Sequence, residues 1–152
     1  MGEKDVHYIE LLKLEFAQMS ASFETLMLSV AKCQSIGVKE FYTFEELESF
    51  DSLTSKFSRT SDLFTQKVLR TSWLLLHEAF LPFIDFVNIA EKIGLIANAD
   101  NLLIIRDIRN QIAHEYIPDI IFDMIPEIID MTYKLKINVE ICKQFLENRK
   151  WI

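Results

Sequence analysis

Three glycines and three prolines punctuate 152 residues. That scarcity constrains the fold more than any other feature. A sheet needs a turn every few residues, and turns draw heavily on Gly and Pro. A chain so poor in both is expected to run in a few long helices. Half of its residues are hydrophobic, enough to bury one core, so a single domain over residues 1–152 is expected.

The apolar spacing agrees. From about Val6 to Ser35, Tyr8, Leu11, Leu12, Phe16, Met19, Phe23, Leu26 and Val30 recur at steps of three and four. Gly37 marks the end of that helix. Thr43 with Glu46 three residues on predicts a capping box for a second helix, with an apolar row of Leu47, Phe50, Leu53, Phe57, Phe64 and Val68. Pro82 starts or kinks a third helix, which Gly94 closes. Asn98 or Asp100 caps a fourth, limited by Pro118. Pro126 begins or kinks a last helix reaching about Asn148. The fold class expected is all-α, an up-down helical bundle of four to five helices. The twelve Phe are read as core, His7 as surface and His77 as a packed or capping side chain.

Composition excludes several functions. The stretch from Trp73 to Ala90 is apolar, but His77, Glu78, Asp85 and Asn88 interrupt it, so no membrane span is expected. The opening residues lack the pattern of a secretory leader, and the cytoplasm is the simplest compartment. Cys33 and Cys142 make neither a disulfide framework nor a zinc knuckle, and no cofactor or metal site is expected. A net charge of -7 argues against a broad basic face for nucleic acid. Charge is unevenly spread, however. Residues 56–70 carry Lys56, Arg59, Lys67 and Arg70 against a lone Asp62.

One stretch asks for more than packing. Residues 109–116 read RNQIAHEY, placing Arg109, Asn110, His114 and Tyr116 at the end of an otherwise greasy helix. A bland reading is available: His114 satisfies the helix C-terminus, Arg109 pairs with Asp107 or Glu115, and Tyr116 packs. The alternative is a site that handles phosphate. Five helical residues separate Arg109 and His114 by about 140° of rotation and about 7.5 Å of rise. Asn110 and His114 share a face, and Arg106 precedes Asn110 by one turn on nearly the same face. A guanidinium fork beside an imidazole is the minimum for cleaving a phosphodiester without metal.

The motif IRDIRNQIAHEY resembles the signature of HEPN domains, whose ribonuclease members carry Arg, a polar residue and then His. Its longer form, Arg-x4-His-x-Tyr, resembles the HepT toxins that pair with minimal nucleotidyltransferase antitoxins. The stretches FDSLTSKFSRTSDLFTQKVLR and AEKIGLIANADNLLIIRDIRN are similar to one HepT-like branch, so the likeness covers about residues 45–148. The resemblance implies a homodimeric endoribonuclease in which Arg109, Asn110 and His114 are catalytic and RNA is the substrate. It implies that the antitoxin adenylylates Tyr116. Arg106, Lys56 and Arg59 become candidate RNA-backbone contacts, with Asp62 beside them. The alternative from the same resemblance is a non-catalytic HEPN partner that presents substrate to a nucleotidyltransferase.

Overall fold

The computed structural model of the chain describes residues 2–114 and 118–152. It is an all-helical bundle, with no strand among the described residues. The helices are α1 (Glu3–Ile36), α2 (Phe44–Asp62), α3 (Leu69–Leu75), α4 (Phe83–Lys92), α5 (Ala99–His114) and α6 (Pro118–Asn148). A π-helical turn, Leu63–Val68, joins α2 to α3 without a break, so residues 44–75 form one rod. None of the described helices is long and apolar enough to cross a membrane.

The helix ends follow the local chemistry. Gly37 closes α1 at φ 71°, where its N–H donates to the Cys33 carbonyl. A side chain there would be strained. The Thr43 hydroxyl accepts from the Glu46 N–H while the Glu46 carboxylate accepts from the Thr43 N–H, completing the capping box. Glu46 also takes Lys39 as an ion partner, and that bond chiefly lowers its pKa. Pro82 stands at the N-cap of α4, and Asn98 Oδ1 accepts the Asn101 N–H at 2.9 Å to cap α5.

The rod forms the centre. Along its length α1 packs against α2, the π turn and α3, while α2 also meets α5 and α6. Leu53, Phe57, Phe64 and Val68 of the rod, Leu12, Met19, Leu26 and Val30 of α1, and Ile128 and Leu135 of α6 are all without solvent contact. Each large apolar side chain buried this way contributes about 1.5–3 kcal/mol. Two polar contacts set the register of α1 on the rod: Ser22 to Thr60, hydroxyl to hydroxyl at 2.7 Å, and the Thr71 hydroxyl donating to buried Glu15. Burial pushes the Cys142 thiol up to about 12 and raises that of Cys33, so both stay protonated core side chains near neutral pH.

The bend between α4 and α5 is held from α6. Asn138 is wholly buried, and its Oδ1 accepts the N–H groups of Ala97 and Asn98 at 3.0 and 2.9 Å. Its amide donates to the Lys134 carbonyl, so every strong bond it makes is internal. This one side chain fixes where α5 starts and hence where its far end points.

Four expectations need correction. Leu47 faces solvent rather than the core, and so do Phe41, Phe44 and Phe80. The last helix begins at Pro118, so Pro126 does not begin it and stands inside it, where the other expected role put it. A helix-interior proline loses one backbone bond but does not forbid the helix when packing holds it. His77 is exposed, not packed. It takes a left-handed φ of 58° just past α3, and its Nε2 lies 3.3 Å from Asp5.

Candidate functional site

The polar end of α5 faces the point where the rod changes from α-helix to π-helix. Ser61 and Thr65 donate their hydroxyls to the carbonyls of Phe57 and Ser61, four residues back in each case. Such side-chain bonds compete with the backbone ladder and loosen it. The wider π turn then carries Thr65, Gln66 and Lys67 toward α5.

Between them lies an open pocket of about 350 Å³. From the rod come Asp62, Lys67 and Arg70; from α5 come Arg106, Arg109 and Asn110. Among the described residues that line it, four cations against one carboxylate leave a formal surplus of three positive charges. The chain's overall charge of -7 therefore hides a local site of the opposite sign.

Arg109 is the best-defined group in it. Its Nε and Nη2 each donate to one oxygen of Asp62 at 2.9 Å, a planar two-point pair. Hydrogen bonding to Asp62 first, and its charge second, raise the Arg109 pKa further above its already high value. Both side chains keep 32% of their surface open. A guanidinium has five N–H groups, and Asp62 takes two of them. Arg106 lies 4.8 Å from the centre of the Phe83 ring, a cation–π contact that fixes a second guanidinium at the rim.

The sequence-derived candidates divide accordingly. Arg106, Arg109 and Asn110 share the pocket. His114 ends α5 with its side chain exposed, one turn beyond Asn110, and does not line the pocket. Tyr116 lies outside the described residues, as does Glu115. Asp107 is not the partner of Arg109; Asp62, 47 residues earlier, is. Lys56 faces away, lining a groove with Lys32 and the acids Glu45, Glu48 and Asp51, while Arg59 is exposed outside the pocket.

Sequence reasoning undervalued Lys67, Arg70 and Asp62. A signal existed: a single acid in the basic run 56–70, at one residue from a Ser/Thr-rich segment, is an oddity that a specific cationic partner explains. No family model, curated protein or solved structure matches the chain.

Proposed function

We propose that the chain is a metal-independent endoribonuclease of the HEPN family, acting as the toxin of a pair whose antitoxin is a minimal nucleotidyltransferase. The observation that carries this reading is Arg109, oriented by Asp62 on the wall of a cationic pocket that it shares with Lys67, Arg70 and Arg106. A phosphodiester seated there meets Arg106, Arg70 and Lys67 as well. The π turn that shapes the opposite wall is a distortion that recurs at working sites.

In this reading a ribose 2′-hydroxyl attacks the adjacent phosphorus and the 5′-oxygen leaves. Attack needs a base and departure needs an acid, and one chain offers one His114. A homodimer pairing the C-terminal ends of two α5 helices supplies both. Arg109 stabilises the charge that builds on the phosphorane oxygens. AMP placed by the antitoxin on Tyr116 adds negative charge close to His114 in sequence and opposes the entry of a polyanion.

One observation favours a second reading. His114 does not line the pocket that Arg109 helps to form, so among the described residues the cationic pocket of a single chain has no imidazole on its wall. A HEPN partner that binds substrate for a nucleotidyltransferase needs no more than that.

One experiment separates the two. RNA cleavage is measured for the wild type, Arg109→Ala, His114→Ala and Tyr116→Phe, with and without the nucleotidyltransferase, alongside light scattering and intact mass. The first two variants lose ~10²-fold or more of the activity while staying folded. Tyr116→Phe cleaves normally and gains no AMP mass. Cleavage that survives His114→Ala, or that EDTA abolishes, sinks the ribonuclease reading; a monomeric active species sinks the shared site.

A further inference from the structure

A second surface adjoins the cationic pocket, and its chemistry is aromatic. Residues 76–82 leave the rod after α3, and Phe80 sits on this segment with 75% of its surface open to solvent. The segment is pinned rather than adrift: the Trp73 indole donates to the Ala79 carbonyl at 3.0 Å, next to Phe80. Behind Phe80 lies an apolar cleft of about 30 Å³ backed by Trp73, Phe83 and Phe86. Such a cleft is far too narrow to admit a planar heterocycle. Whatever Phe80 recognises lies on its outer surface.

Arg70 joins the two surfaces. It lines both the cationic pocket and the aromatic cleft, and its guanidinium carbon lies 5.6 Å from the centre of the Phe80 ring. Thr65 and Phe83 also border both. An exposed aromatic ring that shares an arginine with a phosphate-sized cationic pocket fits a ligand with alternating negative and flat apolar parts. Single-stranded nucleic acid has that alternation, and its bases stack on aromatic rings with little regard to sequence. A duplex hides its base faces, and an acidic peptide carries no flat ring beside each charge.

We propose that Phe80 is a base-stacking subsite for single-stranded RNA, placing one base on its ring while the neighbouring phosphate lies among Arg70, Lys67 and Arg106. This deepens the ribonuclease reading and rests on it for the substrate class, but it concerns binding, not the chemical step. It gives the pocket a direction, with the strand running from Phe80 past Arg70 toward Arg109 and the end of α5. It also selects unpaired segments over helical ones.

The test uses a 2′-O-methyl hexanucleotide, which lacks the attacking hydroxyl, so binding is read without cleavage. Its affinity is measured by fluorescence anisotropy against the wild type, Phe80→Ala, Phe80→Leu and Phe80→Trp, alongside an abasic hexamer and AMP. Phe80→Ala and Phe80→Leu weaken the hexanucleotide about tenfold or more and leave the abasic hexamer unchanged. Phe80→Trp restores binding, and its indole emission is quenched by the hexanucleotide. Equal affinity for wild type and Phe80→Ala overturns the subsite, as does equal weakening of the abasic strand. So does AMP binding as tightly as the hexanucleotide, which makes the site one for free nucleotide. Weaker hexanucleotide binding by Phe80→Ala than by the wild type, in a protein that cleaves no RNA, sinks the ribonuclease and leaves the subsite standing. Cleavage that needs His114 with unaltered Phe80→Ala binding does the reverse.

Discussion

The two ends of α5 obey opposite rules. At its start, Ala99, Leu102 and Ile105 are buried, Asn98 caps the first turn, and Asn138 accepts the N–H groups of Ala97 and Asn98 from inside the core. At its finish, Asn110, Gln111, Ala113 and His114 are exposed, and Arg109 reaches across to a carboxylate on another helix. The first end is tied through Asn98 and Asn138 to its own turn and to the core; the second is open to solvent. A helix that is fixed at one end and unfinished at the other holds polar groups in place without a dedicated loop. Rigid support of a few incompletely satisfied groups is what a binding site requires.

The comparison breaks most readily at Asn138. Asn138→Ala leaves two N–H groups of a tight bend without their buried acceptor, and a loss of about 2–4 kcal/mol is expected by urea denaturation. If the fixed end positions the far one, oligonucleotide binding at temperatures well below unfolding also weakens. A variant with wild-type stability removes the anchor from the account.

Asp62 sharpens the contrast at the other end. Asp62→Asn removes the one negative charge among the described residues of the pocket and breaks the two-point hold on Arg109. Binding of a single-stranded oligonucleotide tightens by about three- to tenfold at low salt, while cleavage falls because the guanidinium is no longer aimed. The fold loses under about 1 kcal/mol, since the pair is partly exposed. Unchanged affinity and unchanged turnover mean that Asp62 is only a surface partner.

The smallest effect belongs to the cap. Asn98→Ala costs about 1 kcal/mol in thermal or urea unfolding, because the Asn101 N–H is left to water. The same change leaves oligonucleotide affinity within about twofold, because Asn138 holds the bend independently. A binding loss matching that of Asn138→Ala means that cap and anchor act as one unit.

The same division explains what could be read in advance. Gly37, Thr43 with Glu46, Pro82 and Asn98 mark their boundaries correctly, because a cap is an affair of neighbours three or four residues apart. Apolar periodicity found the stripe of α1 for the same reason. Arg109 with Asp62 was out of reach, since no local rule links positions 47 residues apart. The π turn was equally hidden, because Ser61 and Thr65 read as ordinary helix or cap residues until their hydroxyls are seen taking backbone carbonyls. Leu47 and Phe80 show the limit of reading hydrophobicity as burial: a large apolar side chain is often left outside.

The anchor also imposes an order of events on the ribosome. Ala97 and Asn98 are synthesised 41 and 40 residues before the Asn138 amide that completes them. Until α6 has emerged and docked, the bend before α5 lacks the acceptor that Asn138 provides for these two N–H groups. During that interval Arg106 and Arg109 have been made, but the bend ahead of them lacks its anchor. A nascent chain therefore carries the charges of the pocket before it has the support for its geometry, which lies 40 residues past Asn98 along the chain.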